Sequence, residues 1–125
     1  MTPERKPLIL CIDDDPDYLD AVQVILEANG YAMVQAATAE EGLRAFKEQN
    51  PDLIIVDLMM EEIDSGASFV KQLRFLGCEA PIYMLSSVGD ALQLNIDTAE
   101  LGLAGVFQKP IEPKTFLSTI QAHLG

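Results

Sequence analysis

Apolar residues along this chain follow two patterns, and the two alternate. Leu8-Ile9-Leu10-Cys11-Ile12, Leu53-Ile54-Ile55-Val56 and Ile82-Tyr83-Met84-Leu85 are unbroken runs, and Ala104-Gly105-Val106-Phe107-Gln108 is nearly so. Runs of this length without alternation predict strands buried on both faces, as in a parallel sheet covered by helices. Tyr31 to Ala36 is less apolar and predicts a strand at the sheet edge. Between the runs, apolar residues recur at helical spacing: Leu19, Val22, Ile25 and Leu26; Leu43 and Phe46; Phe69, Val70, Leu73 and Leu76; Phe116, Leu117 and Ile120. Each stripe predicts an amphipathic helix with these side chains inward.

The punctuation agrees with the periods. Asp15-Pro16 is a helix start with proline at the first helical position, and Asn29-Gly30 is a stop. Thr38-Ala39-Glu40-Glu41 has the form of a capping box. Asn50-Pro51 ends the second helix, because the residue before proline avoids helical geometry. Gly77 closes the third helix, and Pro113 lies near the start of the last. From Val88 to Gly102 the apolar residues Ala91, Leu92, Leu94 and Ile96 give no clean stripe, and Asp97-Thr98 can cap a separate turn. An irregular helix is expected there. Five strands alternating with five helices predict an α/β fold, a doubly wound five-stranded parallel sheet with helices on both faces. No repeat or linker divides the chain, so one domain over 1–125 is expected, with its core at about 7–124.

Composition narrows the partners. The 125 residues are 49% hydrophobic and 6% aromatic, which suits an aliphatic interior. A net charge of −12 argues against binding nucleic-acid phosphates and against attraction to anionic membranes. No apolar run approaches the roughly 20 residues of a membrane span, and Met1 to Pro7 lacks the apolar segment of a signal peptide. A cytoplasmic protein is the expectation. Cys11 lies inside the first strand and Cys78 in a turn, so a buried thiol is expected for Cys11 and no disulfide is expected.

The strands end in reactive groups. The first delivers Asp13, Asp14 and Asp15, the third Asp57, the fourth Ser86 and the fifth Lys109. In open α/β sheets the carboxyl edge is where ligands bind. Carboxylates about 4 Å apart repel by roughly 4 kcal/mol at an effective dielectric near 20, so Asp13, Asp14 and Asp57 together call for a cation, a shared proton or a function. Oxygen ligands with open positions suit Mg²⁺. A carboxylate beside Mg²⁺ is a nucleophile toward phosphorus. Lys109 and Ser86 would then neutralise and hydrogen-bond the phosphoryl oxygens. The residues alone predict a site that takes a phosphoryl group onto an aspartate.

Strand-Asp-Asp, strand-Asp, strand-Ser and strand-Lys-Pro, in this order and over essentially the whole chain, resembles the receiver domain of bacterial two-component response regulators, of the stand-alone type. The resemblance implies the flavodoxin-like strand order 2-1-3-4-5. It implies Asp57 as phosphoacceptor from a phosphohistidine on a sensor histidine kinase or histidine phosphotransfer protein. Asp13, Asp14, Asp57 and the backbone carbonyl of Met59 would hold Mg²⁺, with Asp13 acting largely through water. Ser86 would contact a phosphoryl oxygen, and Lys109 would pair with the acceptor carboxylate or its phosphate. Pro110 would follow, often through a cis bond. The resemblance makes the chain a signalling phosphoacceptor that promotes its own phosphorylation and dephosphorylation, rather than a conventional enzyme. Output would pass to a downstream protein target or along a phosphorelay. A homodimer, if one forms, is expected on the face of the fourth helix, fifth strand and fifth helix.

The sequence also departs from the family pattern. Glu61 stands where a proline is common, and the loop from Leu58 to Gly66 is one residue longer before its glycine. Val106 occupies the position usually held by a switching Tyr or Phe, with Phe107 beside it on the opposite face. Met59 and Val88 occupy positions expected to lean over the approach of a hydrolytic water, and neither binds water strongly, so slow self-dephosphorylation is expected. His123 reads as a surface residue favourable to its helix dipole. Two other readings compete. In a haloacid-dehalogenase-like phosphatase, Asp13 and Asp15 would form the Asp-x-Asp pair, but Asp57 would have no task and no later strand ends in paired acids. In a degenerate receiver the chain would only bind, which its full acidic set and Lys109 oppose.

Overall fold

A computed structural model of the chain describes residues 6–57, 65–86, 102–109 and 111–124, the side chains of 65–68 excepted. Five strands form one sheet: β1 (Leu8–Ile12), β2 (Ala32–Ala36), β3 (Leu53–Asp57), β4 (Ile82–Ser86) and β5 (Gly105–Gln108). Every pairing is parallel and the order is β2-β1-β3-β4-β5, as expected. Four helices are described: α1 (Pro16–Glu27), α2 (Ala39–Gln49), α3 (Ser65–Phe75) and α4 (Pro113–Leu124). The irregular helix expected over 88–102 and the loop at 58–64 lie outside the described residues.

Side-chain alternation along each strand divides the core in two. Ile9, Cys11, Leu53, Ile55, Tyr83 and Leu85 face α1 and α4, where Leu19, Val22, Leu26, Phe116 and Ile120 meet them. Leu10, Ile12, Ile54, Val56, Ile82 and Met84 face the other way, against Phe69, Val70 and Leu73 of α3 and the half-buried Leu43 and Phe46 of α2. This explains the unbroken runs: a strand covered on both faces has no position left for a polar residue. The edge strand β2 keeps Gln35 outward, on Asp20 and Gln23 of α1. Cys11 and Cys78 are both buried and free.

Local signals act as their chemistry dictates. Asp15 caps α1, accepting from Asp17 N–H, with Pro16 at the first position. Thr38 accepts from Glu41 N–H, and Glu41 reaches back to Ala37 N–H rather than to Thr38 itself, a capping box extended by one residue. Gly30 (φ 90°) and Gly77 (φ 89°) end α1 and α3 in the same way. In each case the glycine N–H and the next N–H return to carbonyls of the last turn, Gly30 and Tyr31 to Glu27 and Leu26, Gly77 and Cys78 to Arg74 and Leu73. One expectation is corrected. Leu76 is not inward but 45% exposed, because the helix has already ended at Phe75 and the chain turns at Gly77.

At Gly42 α2 comes close to the sheet. A Cβ there would lie 2.9 Å from Ile12 Cγ1 and 3.0 Å from Phe69 Cζ. Ala in place of a helical Gly ordinarily stabilises by about 1 kcal/mol. Overpacking a filled core costs about 1–3 kcal/mol. The second effect is expected to win, so Gly42→Ala should lower the urea midpoint. A raised midpoint would mean that the two side chains yield freely.

Candidate functional site

The site follows from the register. Ile12 pairs with Val56, so the residues that leave β1 and end β3 are Asp13 and Asp57, side by side. Asp13 is held by its own backbone, its N–H donating to Ala36 O across the β2 side. Beyond β4, Lys109 N–H donates to Ser86 O at 2.8 Å, which brings the end of β5 to the same edge. Asp13 is fully buried, and Asp57 and Ser86 are each 5% exposed. Asp14 is exposed at the mouth. Oxygens of Asp13, Asp14 and Asp57 can lie within 4.8 Å of one another. Asp13, Asp14, Asp57 and Lys109 meet at the carboxyl edge, and Ser86 ends β4 at the same edge. Met59, Val88 and Pro110 lie outside the described residues.

Lys109 is the counter-charge of this cluster. Its ammonium is 2.8 Å from Asp13 Oδ2 and 3.4 Å from Asp57 Oδ2. The other Asp13 oxygen accepts from Asp15 N–H at 3.0 Å. Burial is the largest single influence on Lys109 and would lower its pKa. The hydrogen bond to Asp13, the charges of Asp57 and Asp13 and the hydrogen bond to Asp57 together outweigh it, so the net direction is up and the ammonium stays charged.

One member of the site has no warning in the sequence. Tyr18, the third residue of α1, turns its ring under Lys109, with Nζ 4.5 Å from the ring centroid. Its hydroxyl is buried without a hydrogen-bond partner among the described residues. Burial foremost, then the neighbouring Cys11, Asp13 and Asp57, pushes the phenol well above its ordinary value, so it stays neutral. Tyr18→Phe keeps the ring and deletes the lone hydroxyl, so no loss of stability is expected on urea unfolding. Tyr18→Leu should lose the cation–π contact, about 0.5–2 kcal/mol. A loss above about 1 kcal/mol in the Phe variant would show that the hydroxyl is bonded.

Away from the edge, Val106 is 45% exposed while Phe107 is buried, stacked on Tyr83 at 4.7 Å and edge-on to Phe116 at 4.9 Å. The aromatic of β5 is therefore on the α1–α4 side of the sheet, opposite the face on which Val106 lies. His123 is exposed as expected, but it also meets the Tyr83 hydroxyl at 2.6 Å and ties α4 to β4.

The comparisons agree with this geometry. The family described as "Response regulator receiver domain" matches residues 9–121. A "Probable transcriptional regulator ycf27" of Guillardia theta is 33% identical over 121 residues, covering 97% of this chain and 46% of that protein. The "Alkaline phosphatase synthesis transcriptional regulatory protein PhoP" of Bacillus subtilis is 32% identical over 116 residues, covering 93% and 48%. The chain thus spans about half the length of these curated relatives. Among solved structures, a putative response regulator of Chloroflexus aurantiacus superposes with a TM-score of 0.84 at 30% identity, covering 96% of this chain and 98% of that one. Chemotaxis response regulator CheY4 of Vibrio cholerae gives 0.83 at 29% identity, covering 96% and 100%. A parallel sheet in the order 2-1-3-4-5, a cluster of three carboxylates at its carboxyl edge with a lysine bridging two of them, and a family match over nearly the whole chain make this protein a member of the response regulator receiver domain family.

Proposed function

We propose that the chain is a single receiver domain that accepts a phosphoryl group onto Asp57 from a phosphohistidine of a sensor histidine kinase or histidine phosphotransfer protein, in the cytoplasm. The observation that carries this reading is the Lys109 ammonium poised between Asp13 and Asp57 at 2.8 and 3.4 Å, at the edge where β3 ends. An Asp57 carboxylate oxygen forms the new bond to phosphorus while the bond from phosphorus to the donor imidazole nitrogen breaks. That nitrogen leaves with its electron pair and takes up a proton. As charge spreads over the phosphoryl oxygens, Lys109 pairs with one and the Ser86 hydroxyl donates to another. Asp13, Asp14 and Asp57 fit Mg²⁺, with the Met59 carbonyl as a further ligand, and the ion would neutralise the remaining oxygen charge. Asp13 is fully buried and its two oxygens are engaged by Lys109 and Asp15 N–H, which weighs against a phosphatase using it as nucleophile.

Output would follow through a protein partner, or the phosphoryl group would be relayed. No helix among the described residues is long and apolar enough to cross a membrane. The test is incubation with Mg²⁺ and acetyl phosphate, then hydroxylamine. One phosphoryl group per chain is expected by intact mass. Hydroxylamine should displace it and leave a hydroxamate on Asp57 in the peptide map. A hydroxamate on any other residue, or a hydroxylamine-stable phosphate, would refute the assignment.

A further inference from the structure

A second surface lies away from the phosphoryl edge, between α2 and α3. It is lined by Leu43 and Lys47 of α2 and by Lys71, Gln72, Phe75 and Leu76 of α3 and its end. Phe75 is 91% exposed and Leu76 45%, two of the four large apolar side chains exposed among the described residues. A phenylalanine is among the largest apolar areas that association can bury. An apolar residue so exposed beside a groove marks an interaction site more often than a lone surface leucine does.

The charged side chains that line the groove, Lys47 and Lys71, are both positive, whereas the acids of α2, Glu40, Glu41 and Glu48, do not line it. The protein carries −12, yet four of its eight Lys and Arg residues, Arg44, Lys47, Lys71 and Arg74, are on these two helices. Arg74 is used internally, donating to Cys78 O and Gly102 O. Lys47 and Lys71 stand exposed on the two sides of the groove, and no acid among the described residues pairs with either. The side chains form rows one helical turn apart, Leu43 with Lys47, Lys71 with Phe75, and Gln72 with Leu76. Rows at that spacing accept the ridges of another helix.

We propose that this groove docks an acidic amphipathic helix of a partner protein, with apolar residues one turn apart set between Phe75, Leu76 and Leu43 and flanking carboxylates paired with Lys47 and Lys71. The proposal is independent of the chemistry at Asp57. A two-fold dimer through this face would bring the lysines of both copies together, which like charge opposes. A lipid surface is a poorer fit, since clusters of about 4–8 basic residues mark such binding and only Lys47 and Lys71 line this groove. The internal competitor is α1 of a second copy, where Val24 is 69% exposed between Asp20 and Glu27. That head-to-tail contact would build open chains unless its rotation closes a ring.

The test uses three labelled synthetic helices of about 16 residues, long enough to hold helical structure. One carries Leu pairs one turn apart flanked by Glu, one has Lys for Glu, and one has Ala for Leu. Fluorescence anisotropy should show the first binding at least tenfold more tightly than either control. Phe75→Ser, an exposed position that should fold normally by circular dichroism, should weaken it at least tenfold. Lys47→Glu with Lys71→Glu should do the same and remove most of its salt dependence. Equal binding of all three helices, or no effect of Phe75→Ser, would overturn the proposal. Concentration-dependent chains in sedimentation, lost in both Phe75→Ser and Val24→Ser, would replace the foreign helix by a second copy. Binding to anionic lipid vesicles in preference to the acidic helix would also overturn it.

Discussion

Lys109→Ala is expected to lower the stability of the metal-free protein by about 2–4 kcal/mol, a fall in melting temperature on the order of 10 °C. Removing one partner of a buried ion pair costs about 3–5 kcal/mol, because the other charge is left in low dielectric. Asp13 is that other charge, with no exposure at all. The Lys109 side chain is 21% exposed, so solvent screens part of the interaction and the lower end of the range applies. The variant also leaves Asp13 and Asp57 facing each other without a cation. Two controls separate this account from simple loss of packing. Mg²⁺ should restore more stability to the variant than to the wild type, because it binds only the folded state and relieves the same repulsion. Asp13→Asn combined with Lys109→Ala should be less damaging than the sum of the two changes. The pH dependence has a fixed sign. The Lys109 pKa is raised in the fold, so its contribution is fully present below the ordinary lysine value of 10.5 and is lost as pH rises through the higher folded value. The difference between wild type and variant should shrink in strongly alkaline buffer. If Lys109→Ala melts with the wild type at neutral pH without Mg²⁺, the ammonium does not hold the carboxylates together.

The fold was largely legible because its three central strands, β1, β3 and β4, are covered on both faces. Leu53 to Val56 has no exposed position, so the run carries no alternation and is hard to mistake for a surface strand. The strand-end residues were legible for a related reason. A carboxylate, hydroxyl or ammonium directly after such a run can only be at the sheet edge, and parallel pairing puts all of these at the same edge. What escaped depends on neighbours distant in the chain. Tyr18 has the spacing of an ordinary partly covered helical residue, and only the folded position of Lys109 turns it into a cation–π partner. Tyr83 and His123 are 40 residues apart, and nothing local ties them. Gly105 belongs with Tyr83 in the same way, since a Cβ there would come within 2.9 Å of the ring. Leu76 fits a helical stripe yet faces solvent, because periodicity does not record that the helix has ended. Val106 and Phe107 show the reverse: alternation alone places them on opposite faces, as found.

Asp57→Asn is expected to abolish phosphoryl transfer, with label from acetyl phosphate falling at least 100-fold, while leaving the metal-free fold intact or slightly more stable. The amide nearly matches the carboxylate in shape but has no anionic oxygen to attack phosphorus. Asp57 accepts from Lys109 at 3.4 Å, the longer of that lysine's two contacts, so Lys109 keeps its 2.8 Å partner Asp13 after the change. Against the weaker lost contact stands the relief of repulsion between Asp57 and Asp13, roughly 4 kcal/mol at 4 Å and an effective dielectric near 20 before the lysine's screening is counted. The net change in metal-free stability should therefore be small and favourable, up to about 1 kcal/mol. The metal response is the sharper readout. A ligand at 100 times its dissociation constant stabilises by about 2.7 kcal/mol, so losing one of three carboxylates should shrink the Mg²⁺-induced rise in melting temperature severalfold. Melting curves with and without Mg²⁺ for both proteins supply the four values needed. Equal Mg²⁺ stabilisation in wild type and Asp57→Asn would place the ion away from Asp57. Undiminished label in the variant would move the acceptor to another residue, with Asp13 and Asp14 the first to check by the same substitution.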